Sequence, residues 1–85
     1  MGSEIREIRG LPIWLLREYL EQAGGRVLDE GCVEGEGWVA RVTQIEDYRI
    51  GSLSVGQVRL EIEADESALL DLLARLEPKL LRAGG

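Results

Sequence analysis

Residues 57–63 read Gln-Val-Arg-Leu-Glu-Ile-Glu, and this stretch decides the fold of the chain. Val58, Leu60 and Ile62 alternate with charged or amide side chains. A period of two is typical of a strand that buries one face and leaves the other in water. The stretch therefore predicts a sheet that is covered on one side only.

The segments that precede it repeat this pattern. Trp38, Ala40 and Val42 share one face of a predicted strand over 38–45, and the switch to Ile45 indicates a bulge or a strand end. The remaining strands are predicted over residues 3–9, 26–33 and 48–53. The first of these is short and polar, so we expect it at an edge of the sheet, where its charges discourage aggregation.

Two segments have the helical period instead. Apolar residues recur at helical spacing between Pro12 and Gly24, which predicts a helix over residues 12–23 with the proline at its start and the glycine at its end. Asp65 caps a second predicted helix, and Pro78 should kink or restart it. A leucine stripe along the second helix is formed by Leu69, Leu72, Leu73, Leu76 and Leu80.

The predicted order is thus strand, helix, four strands and helix. Both helices are expected on one face of a single antiparallel sheet, which makes residues 1–85 one two-layer α+β domain. A chain of 85 residues has room for one hydrophobic core.

The composition excludes several classes of protein. Hydrophobic residues at 45% and charged residues at 31% fit a soluble globular domain. No apolar run approaches the roughly 20 residues of a membrane span, and no signal peptide is visible, so we expect a cytoplasmic protein. The absence of Asn, the single Met and Cys and the many charges favour a heat-adapted source.

The chemistry of the side chains argues against nucleic-acid binding and against catalysis. The net charge is −6, and no segment is net basic, whereas nucleic-acid binders carry basic stripes. The chain has no His, and its one cysteine, Cys32, lies among carboxylates that oppose thiolate formation. Since we find no nucleophile and base pair, no phosphate loop and no metal-ligand spacing, we expect neither an enzyme nor a cofactor or metal site.

Several short motifs resemble a known family. They are Trp14-Leu15-Leu16, Glu18 and Tyr19-Leu20-Glu21, the Glu34-Gly35-Glu36-Gly37 turn, and Gly51-Ser52-Leu53-Ser54 with Gln57, Arg59, Glu61 and Glu63. From Leu11 to the end of the last strand, the chain resembles the C-terminal domain of MoaD-related proteins, a domain of unknown function. The resemblance implies a TBP-like fold of the order β-α-β4-α.

In the relatives, this domain follows a sulfur-carrier β-grasp domain like the small subunit of molybdopterin synthase. The 85 residues lack such a carrier domain, so we expect the domain to act alone or in trans. The resemblance thereby implies an accessory or protein-binding role in molybdenum-cofactor or sulfur-transfer biosynthesis. The implied partner is a sulfur carrier or its activating enzyme. A homodimer stays open as well, because small domains gain buried area by self-association.

Two surfaces could bind a partner. Arg59 and Glu61 lie on the solvated face of the best strand, with Arg41 and Arg49 as expected neighbours on adjacent strands. This mixed face could hold a protein or, as an alternative, a small anionic ligand anchored by the arginines. Trp14 projects to the side of the first helix, where it would anchor an interface or cover the sheet edge.

The C-terminal Gly84-Gly85 pair suggests another function. Sulfur carriers and ubiquitin-like modifiers end in Gly-Gly because an adenylating enzyme must thread a slim tail into its active site to activate the terminal carboxylate. The plainer interpretation is a helix cap at Gly84 with a frayed Gly85, because the pair follows a predicted helix and not a strand.

Overall fold

The computed structural model describes the main chain of residues 2–84 and the side chains of residues 2–81. Five strands pair into one antiparallel sheet of order β1-β5-β4-β3-β2, and two helices accompany it. The elements are β1 Gly2–Arg9, α1 Ile13–Gln22, β2 Arg26–Asp29, β3 Cys32–Gly35, β4 Trp38–Ile50, β5 Leu53–Ala64 and α2 Glu66–Gly84. The predicted α+β class with a single antiparallel sheet is confirmed, and β1 lies at an edge as expected.

The division of residues 26–53 into strands differs from the prediction. Residues 26–33 are not one strand but a hairpin, because Gly31 N–H bonds the Asp29 side chain at 2.8 Å and closes a tight turn. Residues 48–53 are not a separate strand either. β4 continues beyond a register shift between Ile45 and Tyr48, and the chain reverses only at Gly51, whose φ of 59° favours glycine.

Helix α1 begins and ends where its sequence predicts. Pro12 is the N-cap, with its carbonyl accepting the Leu16 N–H at 3.1 Å. At the other end Gly24, with a φ of 104°, donates to Glu21 O while Gly25 donates to Leu20 O, both at 3.0 Å. This pair of bonds is the Schellman arrangement, which a left-handed glycine makes possible.

Both helices cover the same face of the sheet. Leu16 and Leu20 of α1 and Leu72 and Leu76 of α2 are buried in one cluster with the inward side chains of β3, β4 and β5. The buried side chains of the strands are Ile8, Val33, Trp38, Ala40, Val42, Val58, Leu60, Ile62 and Ala64. The half-covered sheet that the alternation in β5 predicts is therefore confirmed.

Helix α2 carries the predicted leucine stripe, with Leu72, Leu76 and Leu80 buried. It runs through Pro78 as a single helix, so the expected restart at this residue is wrong. Pro78 and Ala74 both lie on the exposed side of the helix. Pro78 has no N–H to donate to the Ala74 carbonyl. Because water can reach this carbonyl and replace the missing hydrogen bond, the helix tolerates the proline.

The Trp38 side chain explains one of the glycines in the acidic turn. Gly35 lies directly opposite Trp38 in the ladder, and a Cβ at Gly35 would come within 2.1 Å of the indole ring. Glycine at this position lets the large ring lie flat against β3 and become 92% buried, its exposed fraction being 8%. Packing against Trp38 thus requires glycine at position 35.

Candidate protein-binding surface

The open face is the side of the sheet away from both helices. Cross-strand neighbours share a face, and the register places Arg41 directly opposite Glu61 and Arg59 opposite both Thr43 and Glu7. Of the residues proposed from the sequence, Arg41, Arg59 and Glu61 are therefore brought together on this face.

The two arginines of this group have different surroundings. Arg59 Nη2 donates to Glu7 Oε2 at 3.0 Å, an ion pair whose side chains are 42% and 50% exposed. Arg41 is exposed, and among residues 2–81 no carboxylate comes within 4.0 Å of its guanidinium. Its cross-strand neighbours are Glu61 and Cys32. Arg41 can thus bind an external group without breaking an internal pair.

Arg49 does not belong to this group, which corrects the expectation from the sequence. The register shift between Ile45 and Tyr48 adds one residue to β4, because Ile45 pairs with Gln57 and Tyr48 with Val55. An added residue moves every later side chain to the other face. Arg49 consequently points to the helix side of the sheet, and the three arginines do not converge on one anion.

The shift instead brings Tyr48 onto the open face, where Arg9 covers it. The Arg9 guanidinium carbon lies 3.5 Å from the centre of the Tyr48 ring, a cation–π contact, and its Nε donates to Gln57 Oε1 at 3.4 Å. Both residues were missed from the sequence. The break in the apolar alternation at Ile45 could have revealed Tyr48. If the alternation is continued past a bulge of one residue, Tyr48 falls on the open face.

Beyond this contact, β4 and β5 project as a two-stranded ribbon, which we define as residues 46–56. No residue of this range is buried, and it contributes to the elongated shape of 42 × 24 × 21 Å. Ile50 pairs with Leu53 next to the turn, and these side chains are 56% and 67% exposed. With the half-buried Tyr48 and Val55 they form an apolar strip on the open face.

Trp14 lies on the opposite side of the molecule. It is two residues, or about 200° around the helix, from the buried Leu16, and it is 58% exposed. The outer surface of the helix layer therefore carries Trp14, whereas the open face carries Arg41 and Arg59. The two surfaces proposed from the sequence therefore lie on opposite sides of the domain.

The other features considered from the sequence are the C-terminal glycine pair, a metal site and a membrane span. Helix α2 extends to Gly84, while Gly85 lies outside the residues that the structure describes. Between residues 2 and 81, no group of three or more Cys, Asp or Glu side chains is arranged to hold a metal ion. In the same part of the chain, neither helix has the length and apolarity that a membrane crossing requires.

Comparison with known proteins supplies the context for this surface. The sequence model of a family described as archaeal MoaD-like protein matches residues 4–85. A search of curated proteins found no match. The matched range includes the open face, the ribbon and both helices.

Proposed function

We propose, from the premise that this chain belongs to the archaeal MoaD-like protein family, that it is a non-catalytic protein-binding domain in molybdenum-cofactor or sulfur-transfer biosynthesis. Its partner in this proposal is a sulfur carrier or the enzyme that activates the carrier. The domain takes the role of a TBP-like accessory module for the carrier system.

The observation that carries this proposal is the exposed apolar strip of the ribbon. Ile50 and Leu53 lie side by side at the tip, 56% and 67% exposed, and no helix covers them. A contiguous apolar strip that a small protein keeps in water usually marks an interaction site. A two-stranded ribbon alone is also only marginally stable, so its presentation beyond the core fits a role in contact with another protein.

The polar part of the open face would orient the partner. Arg41 has no ion-pair partner within the described side chains and lies next to Glu61, so it can bind a carboxylate of the partner. The ribbon tip would then supply affinity, while Arg41 would set the orientation and the association rate.

A binding measurement with purified components tests the proposal. The chain is titrated by calorimetry with the sulfur carrier and, separately, with the adenylating enzyme of the same host. We expect one of them to bind and the Ile50→Ser, Leu53→Ser double variant to bind at least about 10-fold more weakly, as is usual for interface anchors. Arg41→Glu should weaken binding less.

Trp14→Ala is the matched control. Its side chain is as exposed as Ile50, 58% against 56%, but lies on the helix layer. We expect this variant to bind like the wild type. If neither protein binds, the proposal is wrong. If Trp14→Ala loses affinity and the ribbon variant does not, the partner binds the helix layer and the assignment of the ribbon fails.

A further inference from the structure

The two edges of the sheet differ in their capacity to pair with another strand. β2, at one edge, has four residues and a register shift between Val27 and Asp29. β1, at the other edge, pairs with β5 over eight residues without a shift. A long regular edge strand presents a row of unpaired N–H and C=O groups, which short or bulged strands do not. β1 is therefore the edge to which another strand can be added.

The pairing with β5 identifies the main-chain groups that point outward. Gly10 N–H donates to Gly56 O at 2.8 Å, in line with the β1–β5 register. In an antiparallel ladder, every second residue before Gly10 then turns its main-chain groups toward β5. The outward-facing residues are Ser3, Ile5, Glu7 and Arg9. The side chain of Ile5, in the middle of this edge, is 66% exposed.

Helix α2 adds apolar side chains above the same edge. It runs along β1, since Leu69 lies next to Gly2 and Glu77 accepts a hydrogen bond of 2.6 Å from Arg6. On its other flank Arg75 donates to Ala23 O after α1. The flank over the β1 edge, about half a turn away from Arg75, carries Leu70 and Leu81. They are 71% and 75% exposed, with the half-buried Leu73 between them.

A cleft connects the strand to the helix. It has a volume of about 530 Å³ and is lined by Ile8, Leu80 and Leu81 and by the polar side chains of Arg6 and Glu77. Arg6 also donates to Glu4 at 2.9 Å, and the hydrogen bonds to Glu4 and Glu77 raise the pKa of Arg6 above its ordinary value. Arg6 therefore links Glu4 of its own strand to Glu77 of α2 at this edge.

Charge decides in which register a second copy of β1 fits this edge. A second copy of β1 would pair antiparallel about a two-fold axis through one residue. An axis through Glu4, Arg6 or Glu7 places two like charges directly opposite each other, which destabilises a ladder. An axis through Ile5 pairs Ile5 with Ile5 and puts Glu4 opposite Arg6 of the other copy on both sides. An axis through Ile8 also puts Glu7 opposite Arg9 but pairs only residues 7–9 of β1, so the axis through Ile5 gives the longest pairing that satisfies both the charges and the apolar side chain.

We propose that β1 and the adjacent flank of α2 bind a second copy of this chain, with Ile5 on the two-fold axis. The two sheets join into one continuous antiparallel sheet through about six main-chain hydrogen bonds. The α2 helices approach each other across the axis and bury Leu70 and Leu81. This interface is closed by its own symmetry and leaves the ribbon and Trp14 free.

Light scattering over a dilution series tests the association. We expect a mass twice the 9.4 kDa of one chain, falling toward 9.4 kDa on dilution. Ile5→Lys and, separately, Leu70→Arg should give monomers at concentrations at which the wild type is dimeric. Both side chains are mostly exposed in the single chain, so the variants should keep the circular dichroism spectrum of the wild type.

The matched control is Leu28→Lys, which places the same charge at an exposed apolar position of the other edge strand. Leu28 is 50% exposed on β2. This variant should remain a dimer. A wild-type chain that is monomeric at every concentration overturns the proposal, and so does a monomer that binds an unrelated extended peptide at β1 instead.

Disulfide trapping tests the register. In a Cys32→Ser background, Ile5→Cys should form a cross-linked dimer on mild oxidation, because the paired Cα atoms lie about 5.5 Å apart. Glu7→Cys should not, because its two copies are displaced by four residues, roughly 13 Å. Equal cross-linking of the two variants would contradict the register. The outcome is independent of partner binding at the ribbon, so either proposal can fail alone.

Discussion

The β4–β5 hairpin has two halves, one packed under the helices and the other projecting as the ribbon of residues 46–56. Leu60 faces the helices and is 0% exposed, whereas Leu53 lies on the open face of the ribbon and is 67% exposed. Both are leucines on β5. The difference shows that a strand pattern fixes which side chains share a face, while the helices above decide which of those faces becomes a core.

Truncation of these two leucines to alanine should give the largest difference in stability between the two halves. Leu60→Ala removes a fully buried side chain and should lower the free energy of unfolding by about 2–5 kcal/mol, from lost transfer energy and a residual cavity. Leu53→Ala should change it by less than about 0.5 kcal/mol. Urea denaturation followed by circular dichroism measures both. Similar losses would mean that the ribbon contributes to the core.

A second test uses two glycines on the helix side of the hairpins. Gly35→Ala drives a methyl group against the Trp38 ring, where the nearest atom would lie at 2.1 Å, and should cost about 1–3 kcal/mol of unfolding free energy. Gly56→Ala has no atom within 4 Å of the new Cβ. This control should be close to neutral. A destabilising Gly56→Ala would show that the base of the ribbon is packed.

The smallest expected effect concerns the ion pair on the open face. Arg59→Ala removes the 3.0 Å contact with Glu7, but both side chains are about half exposed. Solvent screens such pairs, so the unfolding free energy should fall by no more than about 1 kcal/mol, and less at high salt. The thermal midpoint at low and high salt measures this. A loss that salt does not reduce would point to packing of the arginine stem.

Most of the fold follows from local patterns. The buried side chains Val58, Leu60 and Ile62 of β5, the bounds of α1 between Pro12 and Gly24, and the stripe of α2 all agree with their sequence periods. These features depend on contacts within one element or on its immediate caps. Local sequence therefore suffices to predict them.

Three features of the fold could not be predicted from the local sequence. The hairpin within residues 26–35 depends on an Asp29 side chain that bonds the Gly31 N–H. The continuity of β4 depends on its pairing with β5, which carries the chain through the bulge after Ile45. The unbroken course of α2 through Pro78 depends on which side of the helix faces water.

The candidate surface was only half predictable for the same reason. Arg41, Arg59 and Glu61 were placed together by simple alternation. The position of Arg49 was not predicted, because the residue inserted into β4 moves every later side chain of the strand to the opposite face of the sheet. Arg9 was missed since its contact with Tyr48 joins residues that are far apart in sequence. No local period contains that information.

The sequence by itself determined a half-covered antiparallel sheet, two amphipathic helices and a charge pattern in which no segment is net basic. The tertiary structure alone decided that the ribbon extends beyond the helices, that Trp14 and Arg41 lie on opposite sides, and that the leucines at positions 70 and 81 overhang the β1 edge. The physical reason is the range of the interactions. Periodicity and caps act within a few residues, whereas register and helix position are set by pairing between distant strands.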